Sequence, residues 1–125
     1  MDASHRILVV DDSPTARRVT GGTLEEAGYE VITADDGDDA IRLFDCYHPD
    51  AVVLDVVLPK KNGFQVCRNL KAQSINEPKI LMLTSKSAES DQEWGRRQGA
   101  DDYLVKPFRA DELLESLRRL LASST

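Results

Sequence analysis

The chain has 125 residues, 41% hydrophobic and 30% charged, with a net charge of −6. That length suits one domain able to bury roughly two thirds of the surface its unfolded form exposes. The acidic balance argues against direct binding to nucleic acid or anionic lipid. No apolar run approaches the ~20 residues of a membrane span and MDASHR lacks a signal-peptide core, so the cytoplasm is expected.

In chain order, Ile7 to Val10 reads as a first strand. Ser13 and Pro14 follow as cap and first turn of a helix whose stripe is Ala16, Val19, Thr23, Leu24 and Ala27, with Gly28 as the stop. A second strand spans Val31 to Ala34. The acids Asp35, Asp36, Asp38 and Asp39 then read as a solvated loop and helix start, favourable to the helix dipole. Ala51 to Leu54 and Ile80 to Leu83 supply the third and fourth strands. A more weakly patterned fourth helix is expected from Glu89 to Gln98, where Trp94 is either a partner contact or a half-buried anchor. Tyr103 to Val105 is the fifth strand, and Leu113, Leu114, Leu117, Leu120 and Leu121 draw the stripe of a fifth helix. Strands that are continuously apolar are covered on both faces, and their alternation with helices predicts a parallel α/β domain spanning residues 1–125. Beyond Leu121 only Ala122 to Thr125 remain, so no output domain is expected. Cys46, Cys67, His5 and His48 share no metal-ligand spacing and are assigned to structure or solvent.

Chemistry gathers at the strand ends. Asp11 and Asp12 follow ILVV, Asp55 follows AVVL, Thr84 follows ILML and Lys106 follows YLV. In a doubly wound sheet these carboxyl ends share one crevice. Three acids in one crevice repel, and a hard divalent cation such as Mg²⁺ relieves the repulsion. A carboxylate can attack phosphorus to give an aspartyl-phosphate, with metal, hydroxyl and ammonium neutralising the transferring oxygens.

VVDDS, LDVVLPKKNG, MLTS and YLVKPF stand in the order and spacing of the response-regulator receiver domains, and the chain resembles that family along essentially its whole length. The resemblance implies a flavodoxin-like, five-stranded parallel sheet of order 2-1-3-4-5 flanked by five helices. It implies that Asp55 is the phosphoacceptor and that Asp11, Asp12, Asp55 and the main-chain carbonyl of Val57 hold Mg²⁺. Lys106 contacts the phosphoryl oxygens, Thr84 and Tyr103 form a switch pair, and the bond from Lys106 to Pro107 is cis. The implied partners are a sensor histidine kinase or phosphotransfer protein, and an effector reading the face made by the fourth helix, fifth strand and fifth helix. DQEWGRRQGADDYLVKPF further resembles the receivers of type IV pilus and phototaxis chemosensory systems. Val57 departs from the polar residue often found at this position in the receiver family, which bears on phosphoryl lifetime, and Lys86 is a variable pocket-edge position.

Other readings stay open on sequence alone. Asp11 and Asp12 could cap the first helix, Lys106 could be a solvated lysine, and Tyr103 could be core. An aspartate-nucleophile hydrolase would need a second acid where Val57 stands. A flavin site would need hydroxyls where Asp11 and Asp12 stand, and a phosphorylation-independent scaffold would need none of these groups.

Overall fold

A continuously apolar strand has no wet face, so it is stable only with helices packed on both sides. The computed structural model, which describes residues 5–73, 77–84 and 99–122, satisfies that requirement. Strands β1 (Arg6–Val10), β2 (Glu30–Ala34), β3 (Ala51–Asp55), β4 (Lys79–Thr84) and β5 (Asp102–Val105) form one sheet in the order β2-β1-β3-β4-β5, every pair parallel. Helices α1 (Pro14–Glu26), α2 (Gly37–Tyr47), α3 (Gly63–Gln73) and α4 (Ala110–Ala122) flank it. Four helices are therefore seen among the described residues rather than the five expected. The expected fourth helix from Glu89 to Gln98, including Trp94, lies outside them, as does Lys86.

Alternation along the strands sorts the core into two layers. Leu8, Val10, Val52, Leu54, Ile80 and Met82 face one side with Ala40 and Phe44 of α2 and Val66, Cys67 and Leu70 of α3. Ile7, Val9, Val53, Leu81 and Leu83 face the other with Leu24 of α1 and Leu113, Leu117, Leu120 and Leu121 of α4. Leu114, the remaining member of the expected α4 stripe, packs on that second layer while partly exposed.

The stripe expected for α1 is corrected. Val19 is 63% exposed and Ala27 is exposed, whereas Thr20, Gly21 and Leu24 are buried. Gly21 faces β2, where a Cβ would meet Cγ1 of Val31 at 3.5 Å, an ordinary van der Waals contact. The ends of α1 are as expected. Ser13 Oγ accepts from the Ala16 N–H at 3.2 Å, and Gly28 turns the chain out of the helix at φ 99°. Far from the chemistry, Asp102 anchors β5 to α4 by accepting from Ser116 Oγ at 2.7 Å and from Arg119 at 2.9 Å.

The corrected face is testable. Leu24→Ala should lower the unfolding free energy by about 2–5 kcal/mol, whereas Val19→Ala should change it by less than about 0.5 kcal/mol. Urea titrations of both variants check this, and a larger loss at Val19 would restore the face inferred from periodicity.

Candidate functional site

The parallel register carries the chemistry to one edge. Val10 pairs with Ala34 and Leu54, Asp55 pairs with Leu83, and Thr84 pairs with Val105, so Asp11, Asp55, Thr84 and Lys106 emerge at or just beyond neighbouring strand ends. Asp11 is held by its own backbone, donating N–H to the Ala34 carbonyl at 3.1 Å. Its Oδ1 accepts from the Ser13 N–H at 2.9 Å. The cap of α1 is thus Ser13 rather than Asp11 or Asp12, which leaves both acids to the crevice.

Asp11, Asp12 and Asp55 each present a carboxylate oxygen, and the three oxygens lie within 4.8 Å of one another. Asp55 is 7% exposed and Asp11 is buried, while Asp12 faces solvent. Lys106 Nζ donates to Asp55 Oδ2 at 3.0 Å and stands 3.7 Å from Asp11 Oδ2. Oδ1 of Asp55 accepts from the Val57 N–H at 3.3 Å, while the Val57 side chain is 75% exposed. Position 57 therefore turns its main chain to the site and its side chain to water. Burial pushes the Asp55 carboxyl above its ordinary range, and the Asp11 charge adds to that. Lys106 and the Val57 N–H pull the other way without cancelling it.

One ammonium among three carboxylates leaves an oxygen-rich, negatively charged crevice of the kind a small hard dication requires. The donor set fits Mg²⁺. Thr84 adds a hydroxyl that is 1% exposed and has no hydrogen-bond partner among the described residues, an arrangement that is costly unless a further group satisfies it. The Lys106 N–H donates to the Thr84 carbonyl at 2.7 Å, and the Lys106–Pro107 bond is cis, as the resemblance implied. Tyr103 is half-buried and packs on the α2/α3 layer.

Two site residues escaped the sequence reading. Arg17 Nη1 donates to the Asp11 carbonyl at 2.7 Å, yet periodicity showed only a charged residue off the apolar stripe. Gly63 closes the loop after β3, its N–H donating to the Val56 carbonyl at 2.8 Å. A Cβ there would lie 2.4 Å from the Asp55 carbonyl oxygen and 2.8 Å from the Val56 Cα. The glycine of the KKNG stretch was the available signal.

A raised folded-state pKa means that the folded chain binds a proton on Asp55 more readily than the unfolded chain. Ionisation at this position therefore opposes folding at pH values above the raised pKa, and the penalty disappears below the ordinary carboxylate range. In metal-free buffer at neutral pH, Asp55→Asn should unfold at a higher temperature than the wild type. The gap should narrow on acidification or on adding Mg²⁺. A wild type that is the more heat-resistant partner without metal would contradict the assigned electrostatics.

Known proteins share this architecture. Residues 7–118 match the response regulator receiver domain. The chain is 46% identical over 116 residues to the probable transcriptional regulator ycf27 of Cyanophora paradoxa, across 93% of this chain and 48% of that protein. It thus spans about half the length of the curated relatives it first matches. Protein PilH of Pseudomonas aeruginosa is 42% identical over 118 residues, 94% of this chain and 98% of PilH. The structure of the chemotaxis protein CheY4 of Vibrio cholerae superposes with a TM-score of 0.89 at 37% identity, covering 94% of this chain and 99% of that one. With the family matched along nearly the whole fold and the acidic crevice at its strand ends, the chain belongs to the response regulator receiver domains of two-component signalling.

Proposed function

We propose that Asp55 is the phosphoacceptor of this receiver and that Asp11, Asp12, Asp55 and the Val57 carbonyl hold Mg²⁺. The observation that carries this reading is the Lys106 ammonium 3.0 Å from a buried Asp55 carboxylate, within an acid cluster tight enough for one cation. A histidine kinase or phosphotransfer protein presents a phosphohistidine. An Asp55 carboxylate oxygen bonds to phosphorus as the P–N bond breaks, and its electron pair stays on the imidazole nitrogen. Lys106 and the Thr84 hydroxyl neutralise charge on the transferring oxygens, and the Val57 N–H orients the attacking carboxylate. Bound Mg²⁺ supplies the remaining neutralisation of carboxylate and phosphoryl charge. Water attacking the same phosphorus reverses the modification, so the chain assists its own phosphorylation and dephosphorylation while acting as a signalling protein.

The readout follows from Thr84. Met82 and Thr84 share the face of β4 on which Tyr103 packs, since alternate residues of a strand point the same way and Met82 pairs with Tyr103. A phosphoryl group brings close to two negative charges and three acceptor oxygens. Thr84 turns to donate to one of them, the Tyr103 ring takes the vacated space, and the effector face that includes β5 and α4 changes with it. This is a two-state equilibrium biased by one local charge event. The likeness to PilH and CheY4 supports pilus-based motility or chemosensory signalling in the cytoplasm as the setting. Near-complete coverage of PilH, together with the family match over residues 7–118, supports reading this stretch as one receiver unit. The net charge of −6 supports a protein effector rather than nucleic acid.

With Mg²⁺ and an acyl-phosphate donor, intact-mass measurement should show one hydroxylamine-labile phosphoryl group. Asp55→Ala and a chelated control should gain none. Lys106→Ala should label about a hundredfold more slowly. Thr84→Ala should remain open to labelling at Asp55 yet lose the phosphorylation-dependent NMR shifts of Tyr103 and α4. Labelling of Asp55→Ala to the wild-type extent would remove Asp55 from the assigned role, and unchanged shifts in Thr84→Ala would remove Thr84 from the switch.

A further inference from the structure

We propose that Gly37, Lys60 and Lys61 are positioning residues that brace loop 56–62 against the N-terminus of α2 and so set the Val57 main chain beside Asp55 for cation binding. The inference rests on the reading of Asp55 and Val57 given above.

The loop leaves β3 at the site and returns to α3 at Gly63. Its middle reaches sideways to α2 through three independent contacts. The Gly37 N–H donates to the Pro59 carbonyl at 3.3 Å. Lys61 Nζ donates to Asp38 Oδ1 at 2.7 Å, and Lys60 Nζ lies 3.6 Å from Asp36 Oδ2. Packing is closest at Gly37, where a Cβ would stand 2.4 Å from the Lys61 carbonyl oxygen, 2.7 Å from the Lys61 Cβ and 3.0 Å from the Lys61 carbonyl carbon. Any larger residue there must push the loop away. Lys60 itself is in the left-handed region at φ 70°, which disfavours an L residue unless its surroundings hold it.

The other side of the brace is firm. Asp36 caps α2 by accepting from the Asp39 N–H at 2.7 Å, and α2 buries Ala40 and Phe44 in the core. Two residues before that cap, the Ala34 carbonyl accepts from the Asp11 N–H. The β2–α2 junction therefore fixes Asp11 through Ala34 and the Val57 loop through Gly37 and Pro59. Both halves of the cation site are referenced to one rigid corner. The lysine ammonium groups pair with acids of the junction rather than with Asp11 or Asp55, so their action is positional.

Charge and position predict opposite signs, which makes the brace testable. Removing two cations near an acidic site tightens Mg²⁺ binding if charge alone matters, and loosening the loop weakens it. Calorimetric Mg²⁺ titrations of the full chain compare the wild type with Gly37→Ala, Lys60→Ala/Lys61→Ala and Lys60→Arg/Lys61→Arg. Gly37→Ala should bind about tenfold more weakly, the scale of a lost supporting contact. The alanine pair should bind about threefold more weakly, as expected for exposed ion pairs, and the arginine pair should recover the wild-type affinity. The unfolding midpoint in chelator should fall only slightly for the alanine pair, as loss of exposed ion pairs allows, and should stay at the wild-type value for the arginine pair. Unchanged or tighter binding in both Gly37→Ala and the alanine pair overturns the brace. Weakening confined to Gly37→Ala removes the lysines from it, and if that variant does not fold the sign for the alanine pair decides. A wild type that fails to bind Mg²⁺, or an Asp55→Ala chain that binds as tightly, instead brings down the metal reading on which the brace stands.

Discussion

Three carboxylates crowded at the ends of β1 and β3 form the constraint around which the site is arranged. Buried charge of one sign is expensive, and the cost is met here by partners drawn from several elements. The Asp11 carboxylate is held by the Ser13 N–H, Asp55 by the Val57 N–H and the Lys106 ammonium. Lys106 reaches the acids because β5 lies parallel to β4 and Lys106 directly follows its last residue, Val105, the partner of Thr84. The neutralisation is incomplete. The Asp55 carboxyl stays above its ordinary range, and the Thr84 hydroxyl stays unsatisfied among the described residues. Incomplete compensation leaves a crevice whose electrostatics favour a cation, beside a buried hydroxyl that can donate to an incoming acceptor.

Rigid support lies behind that crevice. The central strands β1, β3 and β4 are buried on both faces, so the positions of Asp11, Asp55 and Thr84 are set by sheet register and two packed layers of helices. Position 57 is different, since it sits on a loop and its side chain points to water. Loops are placed by what they touch. Here the contacts are Gly63 beneath the loop and the α2 corner beside it, each approached closely enough that a methyl group would collide.

Receivers of very different settings share this frame. PilH is matched almost end to end, whereas ycf27 is about twice as long and is named a transcriptional regulator. A common pocket with varied surroundings follows from the division of labour in the fold. Carboxyl ends of strands are confined by register, while helix faces and loops are free to change partner.

By itself the sequence determined the strands, their parallel arrangement and the acids, hydroxyl and lysine at their ends. Each of these is a local signal: apolar runs such as Ala51–Leu54 need cover on both faces, and Asp55 simply follows its run. The spacing of VVDDS, LDVVLPKKNG, MLTS and YLVKPF also carried the family. Only the tertiary structure decided how closely surfaces approach. The inward face of α1 was likewise decided there, because Val19 looks like core by periodicity, yet the helix turns Thr20, Gly21 and Leu24 inward. Arg17 on the Asp11 carbonyl, Gly63 under Asp55 and Gly37 against Lys61 are further cases. Their partners lie on other turns, loops or strands, and the contacts depend on a few tenths of an ångström between backbones, a distance that no residue type encodes until the sheet and its helices have packed.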